Sequence, residues 1–317
     1  MIKRIFFIFI LLISSFSFSQ LSKEHYIPPI SSGPSNADPI EQYIYISTPS
    51  TGDVNFTINT IGAASVSGVV SNATPYVHTI TTEGYSSFVQ DPATTSRVTS
   101  DKGFIINADS PVYVSVRLNA GGYAQAGALV SKGENALGNT FRLGTYDNQG
   151  SPGGNYLNFF SFMATEDNTT VNLTNERVTS GLEIQNAGGQ QFPINNISLN
   201  RGQTYVIAVK PQDADPNRNG LIGTLVSSNK PIVVNAGSAN GSFGNGGARD
   251  YGIDQIVELS KVGKEYVFVK GDGDNSFENI LVVAHEDNTE VSVNGTAVAT
   301  INAGFYYIAE GNLYTND

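Results

Sequence analysis

Two pairs of adjacent carboxylates are the first residues of this 317-residue chain to suggest chemistry: Glu166-Asp167 and Glu286-Asp287. Paired carboxylates can bind a metal ion, or act as the acid and the base that cleave a glycosidic bond. Neighbouring residues of a strand point to opposite faces of a sheet, however, so the members of a pair rarely meet at one bond. Both pairs follow an apolar run and precede Asn-Thr, which is typical of a turn. We therefore interpret them as turn residues.

A second candidate site is a segment with oxygen-bearing side chains at alternate positions: Asp213, Asp215, Asn217 and Asn219. This spacing resembles a Ca²⁺-binding loop, and an exported acidic protein can meet abundant Ca²⁺. The match is incomplete, because Arg218 stands where such a loop needs Gly and Thr224 where it needs Glu. A polar hairpin tip is the simpler interpretation, and we expect no resident cofactor.

Other nucleophile and metal patterns are also incomplete. Gly-Ser-Ala-Asn-Gly at 237–241 has its serine one position too early for a nucleophile elbow, and no helical pattern follows it. The chain has no Cys, which excludes disulfides, thiolate metal sites and Cys nucleophiles. His25, His78 and His285 are far apart in sequence, so we expect no His-based zinc site. We therefore predict that the protein is not an enzyme.

The composition indicates which elements must position these groups. Charged residues make up only 14% of the chain, whereas Gly (33), Phe (17) and Tyr (15) are abundant. Such a composition favours short strands and turns over helices. The formal net charge is −11, and no Lys/Arg cluster offsets it, so nucleic acid and anionic membrane surfaces are disfavoured partners.

The N-terminal residues have the pattern of a secretory signal peptide. Lys3 and Arg4 precede an apolar run over 5–13, and Ser17 and Ser19 provide small residues before a cleavage point. The apolar run is shorter than the roughly 20 residues that a spanning helix needs. We expect residues 1–19 to be removed and the mature protein to act at the cell surface or outside the cell, without membrane insertion.

Internal similarity with a period of about 120 residues is the strongest organisational signal. Ala-Thr-Glu-Asp-Asn-Thr-Thr-Val at 164–171 returns as Ala-His-Glu-Asp-Asn-Thr-Glu-Val at 284–291. Asp-Ser-Pro-Val-Tyr-Val at 109–114 returns as Asn-Lys-Pro-Ile-Val-Val at 229–234. Alternation with period two, bounded by Gly, Asn and Asp, indicates half-buried strands.

These patterns predict an all-β protein of tandem β-sandwich-like repeats, with repeat 1 at 20–137, repeat 2 at 138–263 and a partial repeat 3 at 264–317. Each complete unit should hold about seven to nine short strands. Pro111 and Pro231 are expected just before strands, where a missing N–H is best tolerated. One closed multi-sheet or propeller-like arrangement is the alternative. Because the third unit ends early, we expect the sequence to be a fragment of a longer protein.

Several of these segments resemble the N-terminal domain of the IgGFc-binding protein family. They are the segments 164–171, Asn-Arg-Gly-Gln-Thr-Tyr-Val at 200–206 and Ser-Asn-Lys-Pro-Ile-Val-Val at 228–234. Segments 254–258 and 262–267 are similar to that family's closing segment. The opening segment 23–29 resembles large surface proteins of gliding bacteria, which usually carry a gliding-motility-associated C-terminal sorting domain.

The resemblance implies an extracellular recognition or surface-coat role and brings no catalytic residues. Immunoglobulin binding is not carried over, because the family name rests on an animal mucosal member. We expect a non-catalytic recognition or adhesion protein at the cell surface, whose partner is an extracellular protein or glycan. Most tyrosines should face the core, and exposed ones suit such partners.

Two alternative functions stay open at this point. The repeats could form a structural stalk that only spaces a distal domain. The protein could also be a secreted glycan-active enzyme, which would need two carboxylates from different strands about 5–10 Å apart in one cleft.

Overall fold

The computed structural model describes residues 20–33, 39–119, 126–148, 157–210, 215–241, 250–271, 273–276 and 278–313. The predicted signal peptide, residues 1–19, lies outside this part of the chain, so its cleavage stays a prediction. The fold is all-β, as predicted, and the described helices are single 3₁₀ turns at Pro92–Thr94, Gly133–Ala136 and Leu259–Lys261. Within the described residues, no helix has the length and apolar character to cross a membrane.

The first large sheet is built around one long strand, β9. Its strands are β1 (Ser22–Ile27), β3 (Glu41–Ser47), β4 (Val54–Thr60), β5 (Val66–Val70), β6 (Tyr76–Thr81), β9 (Phe104–Asn119) and β10 (Gly127–Val130). The hydrogen-bonded order is β5-β4-β9-β3-β6, and β1 and β10 also pair with β9. The short strands β2 (Ile30–Ser31) and β7 (Val89–Gln90) pair with each other in parallel.

The second large sheet has the same connections around its own long strand, β16. Its strands are β8 (Val98–Thr99), β11 (Gly138–Arg142), β12 (Asn158–Ala164), β13 (Thr169–Thr174), β14 (Ile194–Leu199), β15 (Thr204–Ala208), β16 (Leu225–Ser238) and β17 (Gly252–Ile256). The order is β14-β13-β16-β12-β15-β8, and β11 and β17 also pair with β16. The strand order around β9 thus matches that around β16, whereas the tandem repeat of about 120 residues and its boundaries stay predictions.

Pro111 and Pro231 lie inside the long strands, so the prediction that they precede strands was wrong. The pairing of β9 with β4 ends at Ala108, and its pairing with β3 begins at Tyr113. Pro111 therefore sits where the strand changes partners, and a missing N–H there interrupts no ladder. Pro231 occupies the same position in β16, between the residues that pair with β13 and those that pair with β12.

The third segment, defined as residues 264–313, contains four short strands. They are β18 (Ile280–Val283), β19 (Thr289–Val293), β20 (Thr296–Ile301) and β21 (Tyr306–Ala309). β18 pairs with β21, and β19 pairs with β20, as β12 pairs with β15 and β13 with β14 in the second sheet. Within the described residues, no long strand joins these two pairs.

The two large sheets share apolar surface and are not independent sandwiches. Phe160 and Phe162 of β12 belong to the core of the second sheet, whereas Phe159 belongs to the core of the first. Met163 packs with Tyr26 in a third cluster at the junction of the two sheets. Alternate side chains of β12 thus enter different cores, and all seven residues of the strand are buried.

Candidate recognition surface

The first carboxylate pair lies in a turn that is fastened to a neighbouring turn. The carboxylate of Asp167 accepts a hydrogen bond from the backbone N–H of Arg201 at 2.9 Å. In return, the backbone N–H of Asn168 donates to the side-chain oxygen of Asn200 at 3.2 Å. The backbone of Asn168 is left-handed, with a φ of 57°, which Asn tolerates better than most residues. Asp167 is thus engaged in holding two turns together.

The second carboxylate pair repeats this arrangement in the third segment. Asp287 accepts from the backbone N–H of Ala303 at 3.1 Å, and the N–H of Asn288 donates to Asn302 at 3.1 Å. Asn288 also has a φ of 57°. The geometry agrees with our interpretation of both pairs as turn residues. A glycan-active enzyme would instead need carboxylates that face one cleft.

The proposed Ca²⁺ ligands occupy a loop that also contains an arginine, Arg218, which pairs with one of them. Asp213 lies outside the described residues. The carboxylate of Asp215 accepts from the side-chain amide of Asn219 at 2.8 Å and lies 3.3 Å from the guanidinium of Arg218. The side-chain oxygen of Asn217 accepts from a backbone N–H of the neighbouring loop at 2.8 Å. In the described part of the chain, no group of three or more His, Asp or Glu side chains could hold a metal ion, and Ca²⁺ binding stays a prediction.

A buried charged cluster, which the sequence patterns did not reveal, attaches the third segment to the second sheet. The Tyr306 hydroxyl donates to the carboxylate of Asp147 at 2.8 Å, and Arg218 lies 3.3 Å from the same carboxylate. The guanidinium of Arg177 lies over the Tyr306 ring, 5.1 Å from its centroid. Burial, together with the charge of Asp147, raises the pKa of the Tyr306 hydroxyl. The tyrosine therefore stays neutral and donates a hydrogen bond to Asp147.

A second polar contact joins the same two regions. Arg142 forms a two-pronged ion pair with Glu176, at 2.6 and 3.1 Å, and lies 3.3 Å from His285 of the third segment. Burial raises the pKa of Glu176, but the hydrogen bond and charge of Arg142 outweigh it and set that pKa below its usual value. Beside this pair, the backbones of Gly223 and Gly304 touch, since a Cβ on Gly223 would lie 1.8 Å from the Gly304 carbonyl oxygen.

A shallow cleft borders the charged cluster. It has a volume of about 350 Å³, and its lining includes Arg177, Ser180, Asp215 and Asn219. Burial lowers the pKa of the Arg177 guanidinium, although an arginine remains charged at neutral pH. Asn219 accepts from Arg177 at 3.0 Å and donates to Asp215 at 2.8 Å, so these three lining residues are joined to one another. These internal pairs indicate a structural role for the cleft.

The outer face of the first sheet carries a surface of a different kind. Tyr45 is 40% exposed and Tyr113 is 39% exposed, on the adjacent strands β3 and β9. In the register, Tyr43 lies opposite Arg117, and Tyr45 lies opposite Val77 of β6. Residues that lie opposite one another in antiparallel strands share a face. We call this surface the tyrosine face, and it consists of Tyr43, Tyr45, Val77, Tyr113, Arg117 and Val130.

The corresponding face of the second sheet is covered by the first sheet. Counted from the central prolines of β9 and β16, Tyr45 corresponds to Ser161 and Tyr113 to Val233. The Ser161 hydroxyl donates to the carbonyl oxygen of Pro29, and Val233 packs in the junction cluster. A face that is buried in the second sheet is therefore exposed in the first, where it carries aromatic residues.

These features define an all-β protein with two large curled sheets of matching strand order and an exposed aromatic face. A comparison with protein families matches residues 126–316 to the family described as IgGFc binding protein. The match covers more than half of the chain, so the protein belongs to this family. It is not a known enzyme family, and it suggests an extracellular binding or adhesion-type domain. Neither a curated protein nor a solved structure gave a significant match.

The family match begins just before β10 and spans the second sheet and the third segment. Most of the tyrosine face therefore lies outside the matched residues. The resemblance recognised from the segments at 164–171, 200–206 and 228–234 is confirmed, whereas the gliding-motility context stays a prediction. The glycine-rich loop after β16 lies largely outside the described residues.

Proposed function

We propose that this protein is a non-catalytic, exported recognition or adhesion protein of the cell surface, and that the tyrosine face binds its extracellular protein or glycan partner. Its units are tandem repeats of about 120 residues. Family membership supports an extracellular binding role. The observation that carries the choice of surface is the exposure of Tyr45 and Tyr113 on a face that the second sheet uses for packing.

The chemistry of the tyrosine face suits recognition. A tyrosine offers a large rigid apolar ring and a polar hydroxyl while losing little side-chain entropy on binding. Arg117 lies between Tyr43 and Ala128 in the register and adds a cation that can pair with carboxylates or stack on rings. Val77 and Val130 extend the apolar area on both sides. Such a mixture is typical of protein-binding surfaces and of aromatic platforms for sugars.

The comparison with the second sheet supports this choice further. Residues at the corresponding positions of β12 and β16 bind another folded unit of the same chain, through Met163 and Val233. In the second sheet, this face therefore contacts a β-rich unit. On this basis the favoured ligand is a protein surface, and a glycan is the second possibility.

The test is a binding screen with a double variant, Tyr45→Ser with Tyr113→Ser. Mature protein, residues 20–317, is screened on a glycan array and against extracted surface proteins, and the affinity for each ligand found is then measured. We expect the double variant to lose at least about tenfold in affinity, because tyrosines are common interface hot spots. Tyr85→Ser is the matched control, since Tyr85 is 47% exposed but lies outside the tyrosine face.

Two results would contradict the proposal. Unchanged affinity in the double variant would place recognition elsewhere. No ligand of either class, with wild-type protein that is folded and monomeric, would favour the structural stalk, for which surface tyrosines have no binding role.

A further inference from the structure

A buried polar network lies where the first sheet meets the second. It consists of the side chains of His25, Ser131, Asn235 and Gln255, none of which is more than 1% exposed. His25 lies on β1 and Ser131 directly follows β10, whereas Asn235 and Gln255 lie on β16 and β17 of the second sheet. We call this set the junction network. Polar atoms buried in this way need a hydrogen-bond partner, so the protonation of the histidine matters to the whole set.

The contacts of His25 fix which ring nitrogen carries the hydrogen of the neutral ring. Nε2 lies 3.0 Å from the carbonyl oxygen of Val112 and 3.2 Å from that of Ser22. Because a carbonyl oxygen can only accept, Nε2 must be the donor. Nδ1 lies 2.9 Å from the Ser131 hydroxyl, so in the neutral ring it accepts the hydroxyl hydrogen.

The amides of the second sheet connect this histidine contact to the backbone of the first sheet. Oε1 of Gln255 accepts from the backbone N–H of Lys132 at 2.7 Å, and its amide nitrogen donates to the carbonyl oxygen of Tyr26 at 2.9 Å. The amide of Asn235 donates to the carbonyl oxygen of Pro28 at 2.8 Å. The network therefore binds both sheets.

Residues 131–137, which we call the junction cover, lie over the imidazole ring. A Cβ on Gly133 would be only 3.4 Å from Cε1 of His25. The backbone N–H of Glu134 donates to the Ser22 hydroxyl at 3.4 Å. The far end of the cover is held by Lys261, which donates to the carbonyl oxygen of Leu137 at 2.9 Å. Water therefore reaches the ring when residues 131–134 move away from β1.

A proton taken up at Nδ1 would reverse the first bond of the network. Nδ1 of His25 would then donate to the Ser131 oxygen, whose own hydrogen would turn towards Oε1 of Gln255, 3.2 Å away. The charged ring would remain buried among neutral groups, which is unfavourable. Burial accordingly lowers the pKa of His25, and the backbone hydrogen bonds oppose this shift only in part.

The charged side chains of the surrounding elements have partners of their own. Glu24 favours a charged ring through space, but its carboxylate lies 3.1 Å from the guanidinium of Arg201. Lys132 pairs with Asp254 of β17 at 2.7 Å. The hydrogen-bond partners of His25 are all neutral. The other charged residues of the packed elements are Lys23 on β1, Asp109 and Arg117 on β9, Glu134 after β10 and Lys230 on β16.

We infer that His25 is a proton-operated latch, whose neutral ring holds the junction cover on β1 and whose proton uptake releases residues 131–134 while both sheets stay folded. The residues of the two described apolar cores contain no group that titrates near neutral pH, so they should not respond. Because the same network binds both sheets, its opening loosens their junction.

The sign and size of the effect follow from proton linkage. In the open state the ring is in water and binds a proton with an ordinary pKa of about 6.5, whereas the pKa of the covered ring is lower. The closed state is therefore fully favoured above about pH 6.5 and loses this contribution as the pH falls. The equilibrium constant for opening should rise by up to about tenfold between pH 7.5 and 5.5.

The test measures hydrogen exchange of mature protein, residues 20–317, at several pH values between about 5.5 and 7.5. Each rate is divided by the intrinsic rate of an unfolded chain at the same pH. The amides of residues 132–134 should lose up to about tenfold in protection over this range. Those of 169–174, in the second sheet, should keep theirs.

Two histidine variants assign the effect. His25→Gln should remove the pH dependence, because a glutamine amide can donate to the Val112 carbonyl oxygen and accept from Ser131 but does not titrate. His78→Gln is the matched control. It removes a half-buried histidine of the same sheet whose pKa is also lowered by burial, and it should leave the pH dependence of 132–134 unchanged.

A spectroscopic measurement tests the latch even if His25→Gln fails to fold. ¹⁵N NMR of the wild-type imidazole should show the neutral ring with its hydrogen on Nε2 at about pH 7.5. A charged ring, or the hydrogen on Nδ1, would overturn the inference. Equal pH dependence in wild type and His25→Gln would also overturn it. So would an equal loss of protection at 169–174, because global unfolding would then be the titrating step.

Discussion

The second sheet and the third segment share a turn sequence but differ in what covers their strands. In both, a Thr hydroxyl donates to the Glu carbonyl oxygen at 2.7 Å, from Thr169 to Glu166 and from Thr289 to Glu286. In both, a glycine with a φ near 80°, Gly202 or Gly304, closes the neighbouring turn. The strands before these turns nevertheless differ, because β12 is buried throughout and β18 is half-buried.

The comparison separates local from non-local contributions to the fold. The paired turns need only residues within about 40 positions of one another, and both copies have the same hydrogen bonds. The burial of β12 and β13 needs β16, which comes some 60 residues after the turn and pairs with both strands. Each apolar side chain that such a strand buries contributes about 1.5–3 kcal/mol. Within the described residues, no long strand covers β18 and β19, and the third segment contacts the second sheet through Tyr306 and His285.

The largest difference between the two regions is expected from truncation of their core residues. Phe162 is fully buried and stacks on Tyr205 with ring centroids 5.6 Å apart. Phe162→Ala should lower the free energy of unfolding of the second sheet by about 3–5 kcal/mol. Val282→Ala, at the corresponding strand, should lower that of the third segment by less than about 1.5 kcal/mol, since its methyl groups are half-buried. Hydrogen exchange measured in each region checks both values, and equal losses would contradict the comparison.

A methyl group at the glycine contact should detach the third segment. Gly223→Ala would place a Cβ 1.8 Å from the Gly304 carbonyl oxygen, at a φ of 83°. We expect residues 280–309 to lose exchange protection while 160–173 keep theirs. Gly188→Ala is the matched control, because Gly188 also has positive φ but nothing lies within 4 Å of its would-be Cβ. Similar effects of the two substitutions would mean that backbone strain, and not the contact, is responsible.

Removal of the Tyr306 hydroxyl should weaken the attachment of the third segment to the second sheet, but less than Gly223→Ala does. Tyr306→Phe removes the donor at 2.8 Å from the buried carboxylate of Asp147. We expect a loss of about 1–3 kcal/mol in the local stability of the third segment, because a buried charge loses a hydrogen bond. Tyr307→Phe, whose side chain lies on the other face of β21, is the control and should have little effect. The measurement is again exchange protection over 280–309.

The smallest expected effect concerns pH and extends the comparison to the first sheet. His25 is fully buried, and its Nε2 lies 3.0 Å from the Val112 carbonyl oxygen. Burial lowers its pKa below the usual value near 6.5, although the backbone hydrogen bonds oppose the shift. The unfolded chain therefore binds a proton first, and the stability of the first sheet should fall as the pH drops below about 6.5.

His25→Gln should flatten this pH dependence. His78→Gln should remove a smaller part of it, because burial also lowers the pKa of His78, which is only half-buried. Urea denaturation at several pH values between about 5 and 7 measures the slope. An unchanged slope in His25→Gln would show that other groups set the pH dependence of the first sheet.

The sequence by itself determined the local structure and the spacing at which similar segments recur. Alternating apolar residues predicted strands, and Asp-Asn-Thr predicted turns at 167–169 and 287–289, because these features depend on neighbours a few residues away. The similarity between 164–171 and 284–291 corresponds to equivalent turns in the structure. The family could also be recognised, since its signal lies in such short segments.

Only the tertiary structure decided which surfaces are covered. Pro111 and Pro231 lie inside strands because β9 and β16 change partners there, and those partners come from other parts of the chain. The cluster around Asp147 needs Tyr306, 159 positions later, so no local pattern could indicate it. Among the described residues, no other unit packs on the tyrosine face, whereas the same face of the second sheet is buried. Alternation tells which residues share a face, but burial depends on what packs against that face.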